Sequence, residues 1–274
     1  MVFLLTSKVR LHWGFIVRQL RSGAAQLSYV LPPPPTVVGA FMNPLARMGG
    51  LSDGDKAKIN SNVLNRIMEC AISATLSASV GVEGEVGVVS YEDVSRLSAA
   101  PYKKGTRDYE QKVGSGNILD AVGVVFPVQA IGASSGPFAT LHLAWLMDLD
   151  KLNTCLKTKF TETDLKAATL MIHRIGSKEG IASVIEGNVY SDLEKLSAGD
   201  RFETIFYQNS HCVDIVYGNL APVLLPGLDY NENLYYVPVS SFGSSSVVVP
   251  PEPAIFQLKE NCSGMKVKNI VLTW

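Results

Sequence analysis

Residues 31–36 read LPPPPT, and no other stretch restricts the fold as much. Consecutive prolines offer no backbone N–H and hold φ at about −65°, so they suit neither a central strand nor the interior of a helix. A residue before proline is pushed out of the α region, which makes residues 31–34 extended. A helical pattern nevertheless begins at once. Val37, Phe41, Leu45 and Met48 recur at i, i+4, i+8 and i+11, and Gly49 and Gly50 end the run. Pro44 lies inside it, and its missing donor predicts a kink or an early end near Asn43. Proline is pre-organised for the first helical position, where the N–H has no intrahelical partner. Two readings follow. In one, the turn is rigid and only orients the helix. In the other, free N–H groups of Thr36, Val37 and Val38 project beside Pro34, the Thr36 hydroxyl adds a donor, Gly39 admits a close approach, and phosphate binds across the turn.

Ahead of the prolines, VFLLTSKVRLHW alternates as a half-buried strand, with Leu5, Ser7, Val9 and Leu11 on one face and Lys8, Arg10 and His12 on the other. The stretch LNRIMECAISATLSASVGV reads as a helix running into a strand. Residues 84–118 are strand-like, then polar and glycine-containing, and form a long excursion. ILDAVGVVFPVQAIG and FATLHLAWLMDL are strand candidates, with residues 132–137 as the turn between them. TETDLKAATLMIHRIG is a helix with Thr161 as N-cap and Asp164 three residues on, close to a capping box. IASVIEGNVY follows as a strand. The order strand, helix, strand, excursion, strand, helix, strand is the ferredoxin-like split βαβ pattern of an α+β fold. The predicted division is residues 1–190 for that unit and 191–274 for a β-rich C-terminal region.

At 274 residues, with 47% hydrophobic and 18% charged residues, the chain is globular rather than disordered. Lys8, Arg10, Arg18 and Arg21 interrupt the apolar opening, which therefore cannot span a bilayer. The cysteines (Cys70, Cys155, Cys212, Cys262) are widely spaced without a CxxC pair, and the opening does not read as a signal peptide. Buried thiols in a reducing cytoplasm are expected. The net charge of −1 conceals an asymmetry. Residues 1–52 hold five Lys/Arg and no acid, whereas residues 179–232 hold nine acids and two bases. One end of the molecule is suited to an anion, the other to solvent or a protein.

Three segments carry candidate chemistry. LHWGF ends the first strand with His12, Trp13 and Gly14, a set able to stack a splayed base, or alternatively to fill the core with the indole. Arg10 and Arg18 flank it with positive charge, and Tyr29 precedes the prolines. PYKKGTRDYEQK interleaves Lys103, Lys104 and Arg107 with Tyr109, as a single-stranded backbone requires, although Asp108 and Glu110 dilute the charge. HRIGSKEG places Arg174, Ser177 and Lys178 around Gly176, which either ends the preceding helix as its C′ glycine or opens backbone amides to a phosphate. It is not a Walker loop, since GxxxxGK[ST] is absent. The histidines (His12, His142, His173, His211) show no metal-ligand spacing, and GxSxG and GxGxxG are missing. No metal or cofactor is expected.

The strand ending in HWGF, the turn SYVLPPPPTVVGAF and RIGSKEG after the second helix resemble the fifth family of CRISPR-associated (Cas) proteins, most closely its archaeal type I-A form. The first fifty residues and the 170–190 region carry this resemblance. It implies a ferredoxin-like, RRM-like RAMP domain, with a thumb hairpin where residues 84–118 lie and a variable β-rich C-terminal part. It further implies a non-catalytic Cascade subunit that grips the crRNA 5′ handle, anchors the backbone-subunit filament and contacts the large subunit during recognition of target DNA. The type I-C branch cuts precursor RNA with a tyrosine and a neighbouring Lys-His pair. This sequence has Tyr29 but no adjacent Lys-His. Two alternatives stay open: a metal-independent endoribonuclease using His12 or His173 with Tyr29, and a phosphate-binding metabolic enzyme built on IGSKEG.

Overall fold

A computed structural model describes residues 1–12, 15, 17, 29, 31–51, 61–83, 89–95, 98–101, 122–125, 128–133, 140–176, 180–240, 247–248 and 252–274. For 61–62, for residues 83–133 and for 247–248 it describes the backbone alone. In chain order the first elements are β1 (Val2–Leu11), α1 (Pro34–Met48), α2 (Ser61–Ala74), β2 (Thr75–Glu83), β3 (Val89–Ser95), β4 (Ser98–Pro101), β5 (Val122–Val125), β6 (Val128–Ala133), β7 (Thr140–Asp148), α3 (Leu149–Leu156), α4 (Glu162–Leu170) and β8 (Ala182–Tyr190). The central sheet has the order β2-β7-β1-β8 and is antiparallel throughout. Among the described residues each crossover contains two helices. The α3 helix was not expected.

The first half of β1 is buried on both faces. Phe3 and Leu5 join the helix-side core, whereas Leu4 packs with Ala144, Leu146, Phe206, Ile270 and Leu272 on the opposite side. A strand covered twice reads as an apolar run, here VFLL, and alternation returns only from Ser7 onward. The α1 helix is fixed to the sheet by Trp145, whose indole N–H donates to the Val37 carbonyl at 2.8 Å and whose ring lies 5.4 Å from that of Phe41.

The prolines serve this packing. Residues 31–35 are buried, and the Tyr207 hydroxyl donates to the Pro32 carbonyl at 3.1 Å. Helix starts expose unpaired donors that resist burial. Pro34 and Pro35 have none, and the amides of Thr36 and Val37 both donate to the Pro33 carbonyl, at 2.9 and 3.1 Å. The helix N-terminus is thereby buried without an orphan N–H. The α1 helix continues through buried Pro44 to Met48, so the early end near Asn43 does not occur.

The excursion is longer than 84–118. Strand β3 pairs with β6 and β4 with β5, from Val89↔Ala133 to Pro101↔Val122, so both arms belong to one antiparallel ribbon. The strand candidate ILDAVGVVFPVQAIG is present as β5 and β6, which form the returning arm of this ribbon. Residues 102–121 lie outside the description. The capping box of α4 is present in both directions: the Thr161 amide donates to Asp164 Oδ2 at 2.7 Å, and the Asp164 amide donates to Thr161 Oγ1 at 3.4 Å. The helix ends at Leu170, earlier than expected, so Gly176 is not its C′ residue.

The remaining chain forms β9 (Glu194–Leu196), β10 (Arg201–Thr204), β11 (Gln208–Asn209), β12 (Val213–Tyr217), β13 (Leu220–Pro226), β14 (Glu232–Pro238), β15 (Val247–Val248), β16 (Ala254–Leu258), β17 (Gly264–Val267) and β18 (Ile270–Thr273). Sheets β10-β16-β12, β11-β14-β13 and β18-β17-β9 account for most of it. It has a small core around Phe202, Val213 and Phe256, while Tyr207, Leu225, Tyr235 and Val237 join the main core beside α1. The expectation of free thiols is overturned. Cys70 is bonded to Cys155 and Cys212 to Cys262, with Cα–Cα separations of 5.5 and 5.3 Å. Folding brings α2 to α3, and the start of β12 to the turn after β16, within the range a disulfide spans. Linear spacing carries no sign of this. Among the described residues no helix is long and apolar enough to cross a membrane.

Candidate functional site

Side chains two apart on a strand share a face, so Lys8, Arg10 and His12 point together. They lie on the side opposite the helices, at the far end of β1 from the doubly covered half. Register places Lys8 between His142 of β7 and Glu186 of β8, and Arg10 between Thr140 and Ser183. The His12 amide donates to the Ile181 carbonyl at 3.2 Å, and His12 Nε2 lies 2.7 Å from Ser183 Oγ. The C-terminal region covers this face only in part. Phe206 bridges Gly81, its ring lies 5.2 Å from that of His142, and Ile205 occupies the space where a Gly81 side chain would be. Beyond that row Arg10, His12 and Ser183 are exposed.

The second component follows α4. The Ala182 amide donates to the His173 carbonyl at 3.0 Å, Arg174 bridges Ile181, and the Ile175 amide donates to the Gly180 carbonyl at 2.8 Å. Residues 173–175 and 180–182 therefore run antiparallel as two arms that feed β8. A Cβ at Gly180 would lie 1.9 Å from the Ile175 carbonyl oxygen and 3.3 Å from Phe15 Cβ, so only glycine closes the loop against Phe15. The stretches around 12–15 and 173–183, remote in sequence, meet at one corner of the sheet. Directly opposed strand residues project to the same side, which sets Arg174 with Ile181 on the side of Ser183, His12 and Arg10. The corner combines the cations Lys8, Arg10 and Arg174 with exposed Ile181, and Glu186 is the acid in register with Lys8. Such a surface suits the phosphates of a single strand and leaves an apolar contact for a base.

The sequence-based sites divide into three groups. Arg10, His12 and Arg174 converge at this corner. Pro34, Thr36, Val37 and Gly39 do not form an open anion platform, since Pro34 and Val37 are buried, Thr36 and Gly39 are half-buried, and the Thr36 and Val37 amides are already bonded. Gly39 instead faces Met68 of α2, where an added Cβ would lie 3.7 Å from Met68 Cε. Tyr29 is 3% exposed within the main core, which removes it as a surface contact. Trp13, Gly14, Arg18, Lys103, Lys104, Arg107, Tyr109, Ser177 and Lys178 lie outside the described residues. Sequence reasoning missed Lys8, His142, Ile181 and Ser183 as members of the corner. Period 2 along β1 marks Lys8, but only the strand register brings in the others. Among the described residues no group of three or more His, Cys, Asp or Glu is placed to hold a metal ion.

No protein-family model matches the chain. Over 202 residues it is 26% identical to "CRISPR-associated protein Cas5 2" of Saccharolobus solfataricus, an alignment covering 74% of this chain and 66% of that relative's length. Its fold is similar to that of a CRISPR protein from Archaeoglobus fulgidus, with a TM-score of 0.58 and 14% identity over 100% of this chain and 98% of the other. The comparisons agree with the resemblance read from the sequence: the chain is similar in sequence to a Cas5 CRISPR-associated protein and in fold to an archaeal CRISPR protein.

Proposed function

We propose that this chain is the non-catalytic crRNA-binding subunit of a type I-A Cascade complex, working in the cytoplasm in antiviral DNA interference. The observation that carries the reading is the convergence of His12 and Phe15 with residues 173–175 and 180–183, since these belong to two of the segments on which the family resemblance rests. Arg10, His12 and Arg174 meet the 5′ handle there, with Trp13, Gly14, Arg18, Ser177 and Lys178 as further contacts. The sheet and its paired crossovers act as a ferredoxin-like RAMP domain over residues 1–190. The ribbon between β2 and β7 acts as the thumb, carrying Lys103, Lys104, Arg107 and Tyr109 toward the backbone subunit.

Binding of labelled repeat RNA in EDTA tests this reading. Each phosphate neutralised on a single strand contributes roughly −0.7 to the slope of log K against log salt. Arg10→Ala with Arg174→Ala should flatten that slope by about 1.4, with the RNA remaining intact. An unchanged slope in the folded double variant refutes the site.

One observation favours cleavage as a second reading. The chain lacks a sequence-adjacent Lys-His pair, yet Lys8 and His142 oppose each other across β1 and β7. An imidazole beside an ammonium is a plausible acid–base couple for a 2′-OH. Metal-independent cutting that His142→Ala abolishes, with RNA affinity retained, would replace the scaffold reading.

A further inference from the structure

A cleft of about 380 Å³ lies between β2, the edge of the central sheet opposite β8, and residues of β11, β14 and β18. Its size is at the small end of ligand clefts, roughly 300–1,000 Å³. Leu76, Leu228 and Leu272 line it together with Tyr207, Tyr235 and Trp274. Much of its polar lining is already committed. Ser77 Oγ donates to the Thr273 carbonyl at 2.8 Å, and Thr273 Oγ1 donates to Gln208 Oε1 at 2.9 Å. Gln208 Nε2 in turn donates to the carbonyls of Phe206 and Val271. The remaining polar groups gather around Gly227. From the point where a Cβ on Gly227 would stand, Asn233 Nδ2 is 2.6 Å, Asp229 Oδ1 2.9 Å and the Tyr235 hydroxyl 3.6 Å away. Asp229 is exposed and Tyr235 belongs to the main core, so this group reaches from solvent to the inner wall.

Among the described residues Asp229 is the one charged side chain that lines the cleft, and no Lys or Arg does. Unlike Asp214, which Lys259 pairs, Asp229 has no ion-pair partner among them. Its oxygens accept from the Asn231 amide at 3.1 Å and from Asn231 Nδ2 at 2.6 Å. A carboxylate offers about four lone-pair sites, so each oxygen can take another donor. Burial, and after it the Asp229 charge, pushes the Tyr235 hydroxyl up to about 12, so the phenol stays neutral and the field of the carboxylate reaches the inner wall. A phosphate or carboxylate ligand is repelled here, with no cation to offset the cost. A compact ammonium meets the carboxylate but leaves the flat rings unused. A guanidinium uses both, since its fork fits a carboxylate through two parallel N–H donors and its plane stacks on aromatic faces. We propose that this cleft binds a guanidinium group, from a free small guanidine or from an arginine side chain of a protein partner, with Asp229 as its acceptor and Tyr235 and Trp274 as its aromatic walls. The site lies at the opposite edge of the sheet from Arg10, His12 and Arg174, so it works independently of RNA binding.

The test uses the full chain in isothermal titration calorimetry at low salt, with N-acetyl-arginine methylamide and agmatine as the guanidinium probes. N-acetyl-lysine methylamide and guanosine are the comparisons. Both guanidinium probes should bind, and the lysine probe, which lacks the fork, at least about tenfold more weakly. Hydrogen exchange should slow at residues 227–235 when the blocked arginine is bound. Asp229→Asn keeps an oxygen for the Asn231 amide and should weaken guanidinium binding at least about tenfold. Its melting temperature and its RNA affinity should not change. If that variant fails to fold, the exchange pattern of the wild-type protein decides. Tighter binding of agmatine supports the proposal with a free guanidine as the source, and tighter binding of the blocked arginine supports it with a protein side chain. Absence of guanidinium binding, equal binding of the lysine probe, full affinity in folded Asp229→Asn, or protection outside residues 227–235 overturns it. Protection of the same residues by guanosine alone overturns it in favour of a nucleobase.

Discussion

Pro35 separates the two readings of the proline turn by experiment. If the turn were an anion platform, Pro35→Ala would add a donor to it and strengthen RNA binding. Because the turn is buried, the new N–H meets no acceptor, and an unpaired buried donor costs about 1–3 kcal/mol. We expect a lower melting temperature with RNA affinity unchanged, read by calorimetry and anisotropy together. The local rule about proline at a helix start was sound, and what the sequence could not supply was Tyr207, 175 residues away from Pro32. The Thr161–Asp164 box is legible for the opposite reason, since all its partners lie within four residues. Hydrogen bonds from the Thr161 hydroxyl and amide hold the Asp164 carboxyl below its ordinary range. Its folded pKa is depressed, so the stabilisation is present above the unfolded value of about 3.9 and is lost as pH falls through the lower folded value. Thr161→Ala should cost about 1 kcal/mol at neutral pH, and Asp164→Asn should remove the acid-side part of the pH dependence. A wild-type and Asp164→Asn pair with identical stability curves between neutral pH and pH 2 would contradict this.

Among elements, those with a strong period were legible and those defined by a distant partner were not. The β1 strand and the α1 helix follow from spacing alone. The α3 helix had a signal that was passed over: Leu149, Leu152 and Leu156 repeat at i, i+3 and i+7, and all are buried behind an Asp148 cap that accepts from the amides of Asp150 and Lys151. Strands β5 and β6 were legible as strand, but an apolar ribbon arm and a core strand have the same composition, and only pairing places them in the ribbon. The paired arms 173–175 and 180–182 are the element on which the proposed RNA site depends. Gly180→Ala forces a methyl against the Ile175 carbonyl, and overpacking of this kind costs about 1–3 kcal/mol. The loop should open, pulling Ile181 and Ser183 away from His12. We expect RNA affinity to fall together with local exchange protection at Ile175 and Ala182, whereas Gly199→Ala, strained by its φ of +86° but remote from the corner, should lower stability and leave both unchanged. Retention of full affinity by a Gly180→Ala protein with an opened loop would detach these arms from binding.

At the scale of the whole molecule the chain is polarised in charge and stapled covalently, and only the first property is legible in the sequence. The basic N-terminal fifty residues supply the open corner of the sheet, and the acidic C-terminal region closes the opposite half of the same face through Phe206, Ile270 and Leu272. Two bonds tie this arrangement. Cys70–Cys155 joins the helices of the two crossovers across 85 residues, and Cys212–Cys262 closes 50 residues of the C-terminal sheets. Cross-links of this kind remove disorder from the unfolded chain and typically stabilise by about 2–4 kcal/mol each. The loop-length term favours the first bond by only about half a kcal/mol, so the two should act with similar force. At roughly 2–4 °C per kcal/mol for a domain of this size, full reduction should lower the melting temperature by about 8–30 °C. Calorimetry with and without a phosphine reductant measures the sum, and paired serine variants, Cys70→Ser with Cys155→Ser and Cys212→Ser with Cys262→Ser, apportion it. Each pair should remove a comparable share, and the protein lacking both should no longer respond to reductant. RNA affinity at 25 °C should survive every one of these changes, because neither bond touches Arg10, His12 or the paired arms 173–175 and 180–182. A melting temperature indifferent to reductant in the wild-type protein would mean that the cysteines remain thiols, and that the packing of α2 on α3 holds without them.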